Sequence, residues 1–178
     1  FRTVSMAQAQ ALEYGVALAT REGEDVYLGS SSLNPSLLGP SSWDPPSLPW
    51  LKLNVNGSWN AVYGSGGIGA LVLNDKGELL VARAKKIQYA GSAMHMESLA
   101  IAEGLHFCLE MGCRRTIIES DNASLIGWLR KGADFSFNLE VVLMDIISSA
   151  CEVEVSQFCY VRRGVTKQPM NWLKGVVW

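Results

Sequence analysis

The sequence predicts an α/β domain built on a mixed sheet, and three observations lead to this fold class. Apolar and polar residues alternate strictly from Leu51 to Asn56, which is typical of a half-buried strand. Two further apolar runs follow at short, turn-forming intervals, as in an antiparallel meander. The longest helical segment then separates these runs from another strand-like segment. That spacing favours a right-handed parallel crossover.

The expected elements are as follows in chain order. Strands are predicted at 51–59, 68–73, 78–88, 114–120 and 153–161, and helices at 93–111, 122–131, 137–150 and from 171 to 178, where the last helix is truncated. Gly112 and Gly132 are expected to end the first two helices. The expected N-caps are Ser120 or Asp121 for the second helix and Ser136 for the third.

The first strand determines where function is expected. Its Gly57-Ser58 pair allows a sharp turn, so Asn56 is predicted at the carboxyl end of the strand. The crossover places Asp121 at the end of the adjacent parallel strand. Ligands of open α/β sheets collect outside the carboxyl ends of the strands. The functional hypothesis therefore depends on Asn56 and its surroundings.

The composition divides the chain into three segments. Residues 1–28 form an N-terminal appendage, and the stretch from Ser5 to Thr20 has a helix-forming composition. Residues 29–49 form a linker rich in Pro and Ser. Residues 50–178 form the predicted domain. Because the chain begins at Phe1 instead of Met, a fragment of a longer protein is an open alternative.

Charge and cysteine content restrict the possible partners and location. The formal net charge of −2 by itself indicates no polyanionic partner. Residues 51–178 carry 13 basic and 12 acidic residues, so any affinity for nucleic acid must come from local basic clusters. The four cysteines show no C-x-x-C spacing, which disfavours disulfides and zinc and favours an intracellular location, nuclear or cytoplasmic. No signal peptide is visible, and no apolar run approaches the ~18 residues of a membrane span.

Two acidic residues occupy positions where a carboxylate needs a partner. Glu97 lies on or beside the apolar stripe of the helix at 93–111, and Asp121 follows the predicted fourth strand. Alone, Glu97 is most simply a residue at the edge of the stripe that reaches solvent. Together at one edge of the sheet, the two carboxylates suit a hard cation with oxygen ligands, such as Mg²⁺.

Six motifs follow one another along the chain: Trp43-Asp-Pro-Pro, Trp50 to Trp59, Gly66-Gly-Ile-Gly69, Met96-Glu-Ser-Leu-Ala-Ile101, Ile118-Glu-Ser-Asp-Asn122 and Tyr160-Val-Arg-Arg163. In this order and spacing they resemble the plant ribonuclease H-like domain, which is found C-terminal to reverse transcriptases in retroelements and as free-standing proteins. The resemblance covers about residues 43–178 and implies a ribonuclease H-like five-stranded mixed sheet, order 3-2-1-4-5, flanked by helices. It also implies hydrolysis of the RNA strand of an RNA–DNA hybrid by two Mg²⁺ or Mn²⁺ ions.

The site implied by the resemblance has four carboxylates, of which this sequence retains two. Glu97 and Asp121 match the carboxylates on the long helix and after the fourth strand. Asn56 stands at the metal-bridging position, and Asn171 (or Met170 without a one-residue shift) stands at the fourth. An amide keeps one oxygen ligand but lacks the negative charge, so metal binding is expected to be weak. The departure weakens the prediction of activity and leaves the fold prediction unchanged.

The resemblance further implies that the partner is nucleic acid, either RNA–DNA hybrid or duplex RNA. The predicted contact residues are Gly57, Ser58, Asn122, Arg162, Arg163 and Lys167. Three other basic pairs are individually better explained as solvated surface: Lys85-Lys86, Arg114-Arg115 and Arg130-Lys131. Three tryptophans are predicted to be core residues instead of base-stacking platforms: Trp59, Trp128 and Trp172.

Three functional hypotheses follow. The first is a ribonuclease H-type hydrolase, and the second is a pseudoenzyme that binds nucleic acid without catalysing its cleavage. The third is a decayed retroelement fragment without a selected function. The amide at Asn56 favours the last two hypotheses, and the sequence does not separate them.

Overall fold

A computed structural model describes residues 16–21, 24–29, 43–132 and 137–162. The strands are β1 (Val16–Arg21), β2 (Glu24–Gly29), β3 (Leu51–Asn60), β4 (Ser65–Leu73), β5 (Leu79–Ile87), β6 (Thr116–Ser120) and β7 (Gln157–Tyr160). The helices are α1 (Ala93–Met111), α2 (Ala123–Lys131) and α3 (Glu140–Val153), and a short 3₁₀ turn (Phe137–Leu139) precedes α3.

The described strands form one mixed sheet in the order β1-β2-β5-β4-β3-β6-β7. Neighbours β3, β4 and β5 pair antiparallel, whereas β6 lies parallel to both β3 and β7. Counted from β3, the last five strands have the order 3-2-1-4-5. The predicted five-stranded ribonuclease H-like topology is therefore confirmed.

The main core lies between the sheet and the helices. Leu53 and Val55 of β3 are completely buried and face α1. At Gly104 of α1, an added Cβ would lie 2.8 Å from a Val55 methyl carbon. Such a short distance leaves no room for a larger side chain, so glycine at this position lets α1 lie directly on β3. This close packing fixes the middle of α1 relative to the central strand.

The N-terminal strands correct one prediction. Helix was expected from Ser5 to Thr20, but Val16–Arg21 is a strand, paired antiparallel with β2. β2 in turn pairs with β5, so β5 has a hydrogen-bonded neighbour on both sides. Tertiary pairing thus overrides the local helix propensity of an Ala-rich segment. Residues 1–15 of the predicted appendage and 30–42 of the predicted linker lie outside the described residues, and the domain boundaries stay predictions.

Several helix ends follow the prediction, and others do not. Gly112 and Gly132 end α1 and α2 in the left-handed conformation, as expected. The N-cap of α2 is Asn122, in place of the predicted Ser120 or Asp121. β6 continues through Ser120 and α2 begins at Ala123, so the residue immediately before the helix is Asn122.

The third helix and the last strand also begin later than predicted. α3 starts at Glu140 after the 3₁₀ turn, and its N-cap, Leu139, makes no capping bond through its side chain. Ser136 and the predicted helix at 171–178 lie outside the described residues. The predicted strand 153–161 is shortened to Gln157–Tyr160 because α3 continues to Val153.

The cysteines are free thiols, as the absence of paired spacings predicted. Cys108 is completely buried in the core, where desolvation raises its pKa to about 12. A thiol in that environment acts as a small apolar side chain. None of the described helices is long and apolar enough to cross a membrane.

Candidate functional site

The candidate site begins where β3 runs past the end of its parallel neighbour. The ladder between β3 and β6 ends at the pair Asn54 and Glu119. Backbone N–H groups alternate in direction along a strand, and that of Leu51 points toward β6, donating to the carbonyl of Arg115 at 2.9 Å. The N–H of Gly57 has the same direction but no strand beside it. The amide of Gly57 therefore needs an acceptor from elsewhere in the fold.

Glu97 supplies that acceptor. The Gly57 N–H donates to Oε2 of Glu97 at 3.0 Å, and the Glu97 residue is 6% exposed. Since the Gly57 nitrogen is bonded to the carbonyl carbon of Asn56, the carboxylate lies against the Asn56–Gly57 peptide. The prediction that Glu97 reaches the sheet is thus supported by geometry. Its carboxylate accepts a backbone N–H of β3 at a point that β6 is too short to reach.

Gly57 is required for this contact. A Cβ at Gly57 would lie 2.7 Å from the carbonyl carbon of Met96 and 2.8 Å from the nitrogen of Glu97. Both are backbone atoms, which cannot move aside as the end of a flexible side chain can. Glycine therefore allows the first turns of α1 to approach β3 closely enough for the carboxylate to reach the strand.

The position of Asn56 differs from the prediction. β3 extends to Asn60, so Asn56 lies within the strand and not at its carboxyl end. Gly57 and Ser58 stay extended because β4 continues alongside and pairs with both. The parallel ladder ends before Asn56, however, so this residue still lies at the edge where β6 stops. Asn56 is 8% exposed, and the peptide bond that joins it to Gly57 lies against the carboxylate of Glu97.

Asp121 occupies the neighbouring corner, directly after β6, and is half-buried. Asn122 accepts the Leu125 N–H at 3.0 Å and thereby caps α2. Its side-chain amide also contacts the Met94 sulfur at 3.4 Å, which ties this corner to the first turn of α1. Asp121 therefore follows β6 at the end of the parallel ladder, and Glu97 contacts β3 three residues beyond the last ladder pair.

The acidic groups of this corner do not fit the two-metal site that the resemblance implies. Among the described residues, no group of three or more His, Cys, Asp or Glu side chains could hold a metal ion. An amide at Asn56 supplies an oxygen without charge, and one oxygen of Glu97 already accepts a backbone N–H. Asn171, at the fourth position, lies outside the described residues.

The predicted nucleic-acid contacts are distributed unevenly. The Gly57 N–H is bound to Glu97, and the Asn122 side chain is used in capping α2. Ser58 pairs with Gly67 within the sheet. Arg162 is exposed just after β7. The remaining two, Arg163 and Lys167, lie outside the described residues.

The other basic pairs are mostly engaged locally. Lys85 forms an ion pair with Glu103 at 2.9 Å, and Arg115 forms one with Glu154 at 3.3 Å. The guanidinium Nε of Arg130 donates to a backbone carbonyl of β7 at 2.7 Å. These contacts support the expectation that the pairs are ordinary surface.

The tryptophan prediction is supported for two of its three members. Trp59 and Trp128 are half-buried and pack against the core, and the Trp59 indole donates to the Ala90 carbonyl at 3.1 Å. Trp172 lies outside the described residues.

One cluster, on the face of the sheet opposite α1, was missed by the sequence analysis. Glu119 is 6% exposed and forms an ion pair with Lys52 at 2.7 Å between Oε1 and Nζ. Its Oε2 accepts the indole N–H of Trp43 at 2.9 Å, and Lys52 lies 4.8 Å from the centre of that ring. The signal was a Lys and a Glu on strands that the crossover makes adjacent, but the pairing register could not be known in advance.

Comparison with known proteins agrees with the fold. Solved ribonuclease H structures superpose on this chain at low sequence identity. Ribonuclease H1 from the archaeon Halobacterium salinarum matches with a TM-score of 0.63 and 13% identity, covering 69% of this chain and 93% of that chain. LC11-RNase H1, solved in complex with an RNA/DNA hybrid, matches with a TM-score of 0.62 and 16% identity, covering 71% and 93%. The N-terminal ribonuclease H domain of a Mycobacterium tuberculosis protein gives 0.60 and 15%, covering 71% and 95%.

The fold and the corner at Glu97 thus define a ribonuclease H-like domain. The model of the reverse transcriptase-like family matches residues 54–168, and the chain belongs to that family. No curated protein gave a significant match.

Proposed function

We propose that this domain binds nucleic acid, RNA–DNA hybrid or duplex RNA, and cleaves it very slowly or not at all. The observation that carries the proposal is an uncharged amide at Asn56, next in the chain to the Gly57 N–H that the buried carboxylate of Glu97 accepts. A two-metal hydrolase needs concentrated negative charge to hold its cations. The described part of this corner offers two carboxylates, Glu97 and Asp121, which would be the ligands of any weakly bound Mg²⁺ or Mn²⁺.

Binding is supported by independent features. One structural neighbour was solved with an RNA/DNA hybrid, and the folds are similar across most of both chains. Arg162 is exposed beyond β7, and Arg163 and Lys167 follow it in the sequence. Guanidinium and ammonium groups bind phosphates without reading sequence, which suits a shape-directed partner. A plant, retroelement-derived origin belongs to the proposal through the motif resemblance, and a decayed fragment without selected function is its competitor.

A paired cleavage and binding assay tests the proposal. With Mg²⁺ or Mn²⁺ and labelled RNA–DNA hybrid, we expect turnover at the background level or close to it. Binding of the same hybrid should weaken as salt rises, because phosphate contacts release counterions. Replacing Arg162 and Arg163 by Ala should flatten that salt dependence. Robust turnover that Asp121→Asn abolishes would establish the hydrolase instead, and failure to bind would favour the decayed fragment.

Restoring the missing charges tests the site without relying on catalysis. In Asn56→Asp/Asn171→Asp, the added carboxylates should repel Glu97 and Asp121 and lower the melting temperature without metal. Mg²⁺ should reverse this loss, since a ligand that binds only the folded state stabilises it. We expect the Tm of the double variant to rise with Mg²⁺ more than that of the parent. Equal shifts in both proteins would show that these positions do not converge on one cation site.

A further inference from the structure

An exposed aromatic patch lies beyond the end of β3, outside the site described above. It consists of Val62, Tyr63 and Tyr89, whose exposed fractions are 83%, 76% and 85%. Single exposed apolar residues are ordinary on protein surfaces, but three large ones on two joined loops are not. Neither tyrosine ring packs in the core, and an exposed apolar patch of this kind indicates a binding surface.

The two loops of the patch are held firmly together. The Ala90 N–H donates to the Gly64 carbonyl at 2.8 Å, which makes Tyr63 and Tyr89 neighbours on adjoining chain segments. The half-buried Trp59 indole donates to the Ala90 carbonyl at 3.1 Å, and the Val62 N–H donates to Oδ1 of Asn60 at 3.0 Å. The rings are therefore presented on a backbone that is already ordered, which lowers the entropy lost when a ligand binds.

The patch continues from the corner at Glu97. The segment that carries Tyr89 leads directly into α1, whose N-cap Ser92 lies just before Glu97 in the chain. On β3, Asn60 lies four positions after Asn56, or about 13 Å at the rise of an extended strand. That length corresponds to about four nucleotides of a stacked strand at ~3.4 Å each. A nucleic acid lying at the Asn56 corner would thus reach the patch after a few nucleotides.

The charge of the segments around the patch favours a polyanion over an acidic or apolar protein. The chain contains no Asp or Glu from 56 to 74 or from 79 to 96, and Lys86 is exposed at the end of β5. Lys85 stands opposite Glu24 of β2 and forms an ion pair with Glu103, so its charge is balanced locally. The exposed Lys86, three residues before Tyr89 in the chain, therefore supplies the positive charge of this segment.

We propose that Tyr63 and Tyr89 stack on unpaired bases of a nucleic-acid strand that extends beyond the duplex bound at the Asn56 corner. The inference rests on the proposed binding function and specifies its substrate class as a duplex with a single-stranded extension. A duplex hides the faces of its bases, whereas unpaired bases offer them to aromatic side chains regardless of sequence. Tyrosine suits this task because its ring is flat and its hydroxyl remains in water.

The test compares a blunt RNA–DNA hybrid with the same hybrid carrying about five unpaired nucleotides, a length within the range of single-strand sites. The unpaired nucleotides are placed in turn at each end and on each strand, and binding is followed by fluorescence anisotropy. The parent should bind one of the extended hybrids at least about fivefold more tightly than the blunt one, since one stacked base contributes at least that much. The double variant Tyr63→Leu/Tyr89→Leu should lose this gain and bind the blunt hybrid unchanged.

Matched variants separate stacking from other effects. Tyr63→Phe/Tyr89→Phe keeps the rings and should keep the gain, whereas the Leu pair keeps only apolar surface. Met144→Ala on α3 removes another exposed apolar side chain and should change neither affinity. Thermal melts of each variant should match the parent, because the substituted side chains lie on the surface.

The outcomes distinguish the two proposals. Blunt hybrid that binds without any gain from the extension would overturn the stacking inference and leave the proposed function intact. Blunt hybrid that fails to bind, while a single strand binds through the rings, would overturn the proposed function and retain the stacking role. If the Leu pair changes only the sedimentation behaviour of the protein, the patch is a contact between protein chains and the inference is wrong.

Discussion

Two buried carboxylates beside β3, one carried by β6 and the other by α1, serve different purposes. Glu119 and Glu97 are both 6% exposed. Glu119 is bound by a lysine and by an indole N–H, so its charge is neutralised within a closed cluster. Glu97 accepts the backbone N–H of Gly57 at the open end of the parallel ladder. Equal burial thus says little about role, and the partner of each carboxylate says more.

The difference concerns the partners that each carboxylate joins to β3. At Glu119, Trp43 and Lys52 connect the segment before the domain to β3 and β6. At Glu97, α1 supplies a carboxylate to the part of β3 that extends past β6. The first arrangement stabilises the fold, and the second lies at the corner for which we propose nucleic-acid binding. Asn56, next to Gly57 in this corner, carries no charge.

The largest expected effect tests this comparison directly. Glu119→Gln leaves Lys52, whose side chain is 12% exposed, without its counter-charge. Removing one partner of a buried ion pair costs about 3 kcal/mol or more of folding free energy. Glu97→Gln retains an oxygen that can accept the Gly57 N–H, so the loss of folding free energy should be only about 1 kcal/mol. Urea unfolding of both variants measures the difference, and equal costs would show that the two carboxylates are not distinct in role.

The next effect concerns the close approach of α1 to β3. Gly57→Ala places a methyl group 2.7 Å from backbone atoms of Met96, and we expect a loss of about 2 kcal/mol from overpacking. Gly127→Ala is the matched control, because nothing lies within 4 Å of its added Cβ in the middle of α2. That control should gain about 0.5–1 kcal/mol from helix propensity. If Gly57→Ala is as harmless as the control, the helix does not depend on glycine to reach the strand.

Much of the fold was predictable because local patterns carried it. The alternation beginning at Leu51, the turn at Asn74 to Gly77 and the glycines after α1 and α2 gave the element order, and the parallel crossover then determined the sheet order. The position of Asn56 was predicted wrongly because Gly57 and Ser58 can turn or extend, and only pairing with β4 decides between the two. The same limit applies to β1, which forms a strand where its composition favoured a helix.

The candidate site was predictable to a smaller extent. The motif resemblance predicted one shared site for Glu97 and Asp121, which stays a prediction, although each lies near the end of the ladder between β3 and β6. The bond from Gly57 to Glu97 depends on the length of β6, which no local pattern contains. The Glu119 cluster and the Tyr63–Tyr89 patch depend on register and loop pairing, which likewise arise only in three dimensions.

The smallest expected effect concerns Asn54, which pairs with Glu119 at the end of the parallel ladder. This residue is 1% exposed, and neither atom of its side-chain amide has a hydrogen-bond partner in the structure. Burying an unpaired amide costs about 1–3 kcal/mol, so a side chain of similar size without polar atoms should be better tolerated. We expect Asn54→Leu to raise the free energy of unfolding by about 1 kcal/mol. Asn54→Asp is the matched control and should destabilise strongly, because it buries a charge near Glu119, its partner in the ladder. If Asn54→Leu instead destabilises the fold, the amide has a hydrogen-bond partner in solution, such as a buried water, and the cost of an unpaired amide does not apply at this position.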